Sequence, residues 1–197
     1  ERVLGRGGMG EVLLAHDTVL NRRVALKRLR SDGAEDGSRR SAILKEARRA
    51  SQFSDRRIAS IYDVLDLDGD LLIVMEYVDG TTLRARMAGP LPLAEFWDLS
   101  SQCAEAVAAA HARGIIHRDI KPENLMVTGE GLIKILDFGI ARRPDAPEGA
   151  APTVATTMTA AGHADIIAGT PQYMAPEAHY GGRIDQRTDI FSLGTVF

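Results

Sequence analysis

Much of the first 77 residues of the chain alternates between apolar and polar positions, and this period of two predicts half-buried strands. A hairpin of two strands opens the chain, with Lys27 in its second strand, and another pair of strands flanks the turn sequence DLDGD. Over 38–53 the apolar residues recur instead at helical spacing among arginines, which predicts an amphipathic helix with a basic face. The predicted strands cover residues 12–14, 24–29, 60–66 and 71–77.

The rest of the chain changes to the longer period of helices and to loops. An apolar stripe over 93–113 predicts a helix, and a short pair of strands is predicted at 124–127 and 132–136. The stretch HRDIKPENLM (117–126) is predicted to be a loop at its start, because its proline interrupts any continuous helix. Residues 144–163 are rich in Pro, Ala, Thr and Gly without sustained periodicity, which predicts a long mobile surface loop.

Composition narrows the class of protein. The chain is 45% hydrophobic and 26% charged, which is typical of a packed globular protein, and its net charge of -3 gives no argument for nucleic acid or an anionic membrane. A single cysteine, Cys103, excludes an internal disulfide and fits a reducing, cytoplasmic compartment. No apolar run approaches the roughly 18 residues that span a bilayer. Because the chain starts at Glu1 and stops in an uncapped apolar run, both ends are expected to be cut.

The glycine cluster GRGGMG (5–10) has the G-x-G-x-x-G pattern, but a strand follows it instead of a helix. A dinucleotide-binding fold needs a helix N-terminus facing the pyrophosphate, so that interpretation is disfavoured. The context favours a hairpin loop lying over the phosphates of a nucleotide. On this stretch alone, a glycine-rich turn without a ligand is an equally good interpretation.

Lys27 stands in the middle of a strand, between residues expected to be buried. A buried ammonium group needs a counter-charge, because an unpaired one is strongly destabilising or loses its proton. Glu46 is predicted to supply that charge, since it lies on the core-facing side of the helix predicted over 38–53. The alternative is a surface lysine whose stem follows the edge of the strand.

Two oxygen-bearing side chains follow apolar segments. Asp137 comes at the end of an apolar strand in ILDFG (135–139), and Asn124 lies in the loop described above. Carboxylate and amide oxygens are the ligands that a magnesium ion takes beside phosphates. Either residue alone is more commonly a turn-forming residue, so the magnesium interpretation requires the two segments to converge.

Five motifs occur in the order and rough spacing of the protein kinase superfamily, and their residues resemble those of a bacterial (Hanks-type) serine/threonine protein kinase. The resemblance implies an α+β, two-lobed kinase-like fold. Residues 1–78 would form a small antiparallel sheet lobe with one main helix. Residues 79–197 would form a larger, mostly helical lobe that is incomplete at its C-terminus. The motifs are GRGGMGEV, VALK, HRDIKPEN, DFG and GTPQYMAPE.

The resemblance assigns catalytic roles to four residues. Asp119 would orient the incoming hydroxyl and accept its proton, and Lys121 would contact the transferring phosphate. Lys27 would hold the α- and β-phosphates of ATP, with Glu46 fixing Lys27. The arrangement works by positioning and electrostatics and needs no covalent intermediate.

The resemblance also implies ATP and Mg2+ as cofactors. Asn124 and Asp137 would bind the magnesium. Met75 would stand at the back of the adenine pocket, and the backbone of Glu76 and Val78 would bond the edge of the base, although ordinary core packing predicts the same apolar residue types. The other predicted nucleotide contacts are Gly5, Gly7, Gly10, Val12, Ala25 and Met126.

Lys121 and GTPQYMAPE resemble the serine/threonine branch, since tyrosine kinases carry a different loop there. Protein substrates with Ser or Thr acceptors are therefore expected, and Thr170 would bridge toward Asp119 and Lys121. Asp189 matches a buried acid that anchors the backbone of the catalytic loop. His117 is expected to be a packed core histidine beside Phe138.

Regulation is predicted on the long loop. Arg118 and Arg142 match positions that receive a phosphate in the family, and autophosphorylation is predicted at Thr157 or Thr159, through a transient homodimer. The alternative is that these threonines are only loop composition.

A nucleotide-binding pseudokinase or inactive scaffold would share the fold. Such proteins usually lack the lysine, the base or a metal ligand, whereas this chain has all of them. A small-molecule phosphotransferase of related fold is not expected to carry GTPQYMAPE.

Overall fold

The computed structural model describes residues 2–7, 10–29, 36–67, 70–138 and 171–197. Strands and helices occur there in the order β1–β3, α1, β4–β6, α2, α3, β7, β8, α4, α5. The strands are β1 (Arg2–Gly7), β2 (Gly10–Asp17), β3 (Arg22–Leu29), β4 (Ile61–Leu67), β5 (Asp70–Glu76), β6 (Gly80–Thr82), β7 (Leu125–Thr128) and β8 (Ile133–Ile135). The helices are α1 (Asp36–Ser51), α2 (Leu83–Arg86), α3 (Leu93–His111), α4 (Pro176–His179) and α5 (Gln186–Val196).

The small lobe is an antiparallel sheet in the order β1-β2-β3-β5-β4, with α1 packed against β4. The predicted opening hairpin is confirmed, because β2 and β3 pair antiparallel with Lys27 in the second strand, but a further strand, β1, precedes it. β1 pairs with β2 from Arg2↔Leu14 to Gly7↔Gly10. Sequence patterning missed β1 because glycines and arginines replace the alternating apolar residues that mark a strand, although their backbones still pair.

The large lobe is built around α3, whose buried stripe runs through Leu99, Cys103 and Val107 as the spacing predicted. The helix ends at His111, two residues before the predicted limit, and Gly114 follows with a φ of 69°. Glycine adopts this left-handed conformation without strain, so it can turn the chain away from the helix. A second sheet, β6-β7-β8, packs with α3 in the same core.

The hinge, residues 77–79 between β5 and β6, connects the two lobes, and a second connection lies beside it. Ile58 forms a parallel bridge with Ile135 of β8, where Ala59 N donates to Ile135 O at 2.9 Å and Ile135 N to Arg57 O at 2.8 Å. Arg57 also holds Asp55 through paired contacts of 3.0 Å, and this hydrogen bonding lowers the pKa of the Asp55 carboxyl despite its partial burial. The segment between α1 and β4 is therefore fixed to the large lobe.

One buried carboxylate anchors the backbone of the loop that follows α3. Asp189 of α5 accepts backbone hydrogen bonds from His117 N at 2.8 Å and Arg118 N at 2.7 Å, and it contacts His111 Nε2 at 2.7 Å. This confirms the predicted anchor. His117 is buried, and its ring lies edge-on to Phe138 with centroids 4.6 Å apart, as predicted.

The confirmed α+β, two-lobed fold thus places an irregular loop and the end of β8 opposite the strands of the small lobe. Among the described residues, no helix combines the length and the apolar character that crossing a bilayer requires.

Replacing Asp189 with Asn should destabilise the protein by about 3 kcal/mol at pH 7, because one of two buried acceptor oxygens becomes a donor. Burial opposes ionisation of Asp189, but His111 and the backbone amides outweigh it and lower the carboxyl pKa. A lowered pKa contributes stability above the unfolded value of about 3.9. That contribution to stability disappears as the pH falls through the pKa of Asp189 in the folded protein. The free energies of unfolding of wild type and Asp189→Asn should therefore converge in acid.

Urea unfolding between pH 3 and 7 measures this difference. The matched control is Asp98→Asn, an exposed acid on α3 whose loss should change the free energy of unfolding by under about 0.5 kcal/mol. A gap between wild type and Asp189→Asn that stays constant into acid would contradict the analysis.

Candidate active site

A cleft with a volume of about 570 Å³ lies between the lobes. Its walls include five of the six predicted catalytic or metal-binding side chains: Lys27, Asp119, Lys121, Asn124 and Asp137. The sixth, Glu46, does not line it. Predicted nucleotide contacts in the same wall are Gly5, Gly10, Val12, Ala25, Met75, Glu76, Val78 and Met126.

Two glycines of the GRGGMG cluster line the edge of the cleft, Gly5 on β1 and Gly10 on β2. Gly10 has a φ of 135°, and a Cβ on it would lie 1.9 Å from the Arg28 carbonyl oxygen of the adjacent strand. Any other residue would therefore separate β2 from β3. Gly5 has no atom within 4 Å of such a Cβ, and Gly7 pairs with Gly10.

Lys27 is buried, and its counter-charge is Asp137, not the predicted Glu46. Its Nζ lies 2.8 Å from Asp137 Oδ2, so the pair links β3 of the small lobe to the large lobe. Glu46 Oε1 faces Arg118 Nη1 instead, at 3.7 Å. The prediction failed because it sought a partner within the small lobe, while the cleft brings a carboxylate of the other lobe within reach of the ammonium group.

Two side chains of the loop at 117–124 contact one carboxylate, that of Asp119. Lys121 Nζ lies 2.7 Å from Asp119 Oδ2, and Asn124 Nδ2 donates to the same oxygen at 3.1 Å and to the Asp119 carbonyl at 2.8 Å. Asp119 N donates to His117 Nδ1 at 3.1 Å. Both side-chain contacts fall on Oδ2, so within the described part of the chain Oδ1 remains available as an acceptor.

The donor set fits a magnesium ion held jointly with phosphates. Because Asn124 uses its amide nitrogen as a donor to Asp119, its amide oxygen is left as a ligand, and Asp137 supplies a carboxylate in the same cleft. Asp137 has a φ of 59°, a left-handed backbone that turns the chain at the end of β8. The described residues hold no cluster of three or more His, Cys, Asp or Glu side chains that could bind an ion by themselves. Phosphate oxygens would have to complete the shell.

Apolar residues from both lobes face each other where adenine was predicted. Ala25 and Met75 are buried and paired across β3 and β5, and Met126 lies opposite on β7. The backbone N–H of Glu76 donates to Ser60 O at 2.8 Å, so this N–H is already bonded within the protein.

Sequence reasoning missed the side-chain role of Glu76. Its carboxylate binds Lys134 Nζ at 2.6 Å and accepts from Ser60 N at 3.1 Å, fixing the start of the hinge to β8. Lys27 was singled out in the sequence as a lysine between strand residues expected to be buried. Lys134 has the same pattern, because it lies between buried Ile133 and Ile135, so the pattern could also have identified Lys134.

Four predicted regulatory residues lie outside the described residues, together with the predicted loop at 144–163. They are Arg142, Thr157, Thr159 and Thr170.

A model of the protein kinase domain matches residues 1–197. The chain belongs to the protein kinase family. It is 40% identical over 200 residues to the serine/threonine-protein kinase PknB of Mycobacterium leprae, covering 98% of this chain and 30% of that protein. It is also 40% identical over 197 residues to PrkC of Bacillus subtilis, covering 99% of this chain and 28% of the relative. This kinase chain therefore spans under a third of the length of these relatives.

Solved structures agree with this assignment. The kinase domain of Mycobacterium tuberculosis PknI superposes on the chain with a TM-score of 0.74 at 31% identity, covering 99% of this chain and 68% of that one. This kinase chain therefore shares the two-lobed fold of that domain.

Gly10→Ala should destabilise the kinase chain by roughly 2 kcal/mol or more, because the added Cβ overlaps a strand carbonyl in a disfavoured backbone conformation. Gly5→Ala is the matched control from the same loop, and it should cost under about 1 kcal/mol. Thermal unfolding of both variants measures the difference. Equal losses in the two variants would show that the strand contact at Gly10 does not matter.

Proposed function

We propose that the chain is the catalytic part of an ATP- and Mg2+-dependent serine/threonine protein kinase, which transfers the γ-phosphoryl group of ATP to Ser or Thr hydroxyls of proteins. The observation that carries the proposal is the convergence of Lys27, Asp119, Asn124 and Asp137 from both lobes on one cleft. The relatives' names, which are those of serine/threonine protein kinases, support the same reaction class.

The base in this proposal is Asp119. Its Oδ1 accepts the proton of the incoming hydroxyl, while Lys121 and Asn124 hold the other oxygen and so fix the direction of the carboxylate. Lys121 also neutralises charge on the transferring phosphoryl group. Lys27 orients the α- and β-phosphates from the opposite wall of the cleft.

Magnesium would be held by the Asn124 amide oxygen and the Asp137 carboxylate. When bound, it supplies positive charge that stabilises the phosphate oxygens during transfer. The chain's own contribution is to place these two ligands in one cleft, since Asn124 is oriented by its bond to Asp119 and Asp137 by its turn at the end of β8.

A cytoplasmic setting is part of the proposal. Cys103 is buried in α3 as a free thiol, and its burial raises the thiol pKa to about 12, which makes it an inert packing residue. The chain needs no disulfide among the described residues and suits a reducing compartment.

Asp119→Asn should lower the rate of phosphate transfer by at least about a hundredfold, since the amide cannot accept the proton. Transfer of labelled phosphate from ATP to myelin basic protein measures this, with Mg2+ and with the ion removed by a chelator. Asp63→Asn, an exposed acid on β4, is the control and should retain full activity. A scaffold or pseudokinase, the alternative function, would bind nucleotide and show no difference between these proteins.

ATP-treated protein should carry phosphate between residues 153 and 159, at Thr157 or Thr159. Arg118, which directly precedes Asp119, would bind this phosphate. Peptide mapping by mass spectrometry locates the modification, and Thr157→Ala combined with Thr159→Ala should remove it. The Asp119→Asn protein is the control that separates autophosphorylation from modification by another enzyme. Active protein without phosphate in this interval would contradict the proposed regulation.

A further inference from the structure

Arg84 connects three separate segments of the large lobe. It lies on α2, directly after the hinge and β6. Its Nε donates to Glu123 Oε1 at 2.7 Å, and its Nη2 donates to the Tyr173 hydroxyl at 2.7 Å. Its guanidinium also lies 5.5 Å from the centre of the Tyr173 ring. A planar fork of donors is suited to holding two partners at once in fixed directions.

The first partner belongs to the catalytic loop. Glu123 lies between Lys121 and Asn124, the two residues that hold the Asp119 carboxylate. Asn124 N donates to Lys121 O at 2.9 Å, so the three residues form one tight turn. A movement of Glu123 would therefore also move Lys121 and Asn124, the two residues that contact the Asp119 carboxylate.

Arg84 is the counter-charge of Glu123, since its Nε donates to Glu123 Oε1 at 2.7 Å. Its other oxygen, Oε2, is buried and has no hydrogen-bond partner among the described residues. Removal of Arg84 would leave a partly buried carboxylate without its counter-charge, and the turn that carries Glu123 would lose its bond to α2.

The second partner comes from the segment that follows residue 170. Tyr173 is buried in the core of the large lobe, in a short 3-10 helix that packs against α5. Its hydroxyl is the atom that meets Arg84. This bond joins the segment after residue 170 to the segment that carries the base.

Neither Arg84 nor Tyr173 lines the nucleotide cleft, whereas Glu123 does. We propose that Arg84 is a positioning residue that locks the catalytic loop to the segment after residue 170, and so aligns the protein acceptor with Asp119 without affecting nucleotide binding. The inference rests on the proposed kinase function.

The first test is a kinetic separation in the full-length protein. Arg84→Met should lower kcat/KM for myelin basic protein roughly tenfold, while KM for ATP stays within about twofold of wild type. Arg84→Lys should recover part of the loss, because it keeps the charge but not the fork. The matched control is Arg86→Met, which removes an arginine of similar exposure from the same helix, where it pairs with Glu95.

A double-mutant cycle tests whether the cluster acts as a unit. Tyr173→Phe removes only the hydroxyl and should cause a smaller loss of the same kind, and its combination with Arg84→Met should be no worse than Arg84→Met alone. Additive losses would mean that the two residues act separately, which contradicts the proposal.

Hydrogen exchange separates this inference from the proposed function. The peptide covering 117–125 should exchange faster in Arg84→Met than in Arg86→Met, whether or not phosphate transfer is observed. If wild-type protein transfers no phosphate, the proposed function fails, and exchange still decides the inference. Equal exchange in the two variants, an equal loss of activity in both, or a matching rise in KM for ATP would overturn it.

Discussion

The arrangement of the cleft depends on one ion pair, because the buried ammonium group of Lys27 requires an anion beside it. Lys27 lies on a central strand of the small lobe with 7% of its surface exposed, and such a charge is tolerated only when it is paired. The anion is Asp137, which the large lobe supplies at 2.8 Å. The pair therefore defines the two walls of the cleft and places a cation and a carboxylate where a triphosphate and a metal would meet.

Main-chain bonds position the proposed base, Asp119, within the large lobe. Asp189 holds the backbone of His117 and Arg118, and the latter has a φ of 70°, a left-handed conformation that is costly for an arginine. The buried carboxylate stabilises that conformation by accepting both amides. Asp119 follows directly on this anchored backbone and lines the cleft.

Local chemistry made much of this predictable from the sequence. The burial of Lys27 follows from its place in an apolar strand, and the turn at Asn124 follows from Pro122 and the polar run around it. The helix α3 follows from apolar spacing. These features depend on neighbouring residues, which a sequence displays directly.

The features that sequence reasoning missed depend on how the lobes meet. The choice between Glu46 and Asp137 as the partner of Lys27 is a matter of lobe placement, and both carry the same charge. Arg84 and Lys134 gain their partners only through tertiary contacts. Strand β1 escaped detection for a different reason, because its pairing uses backbone groups that glycine provides as well as any other residue.

The central claim is that Asp137 and Lys27 belong to one nucleotide site that takes a metal. Calorimetric titration of ADP into wild-type and Asp137→Asn protein, with and without Mg2+, tests it most directly. The account predicts that Mg2+ tightens binding to the wild type, and that Asp137→Asn still binds ADP but loses this dependence on Mg2+. The same Mg2+ dependence in both proteins, or no binding of ADP by the wild type, would contradict it.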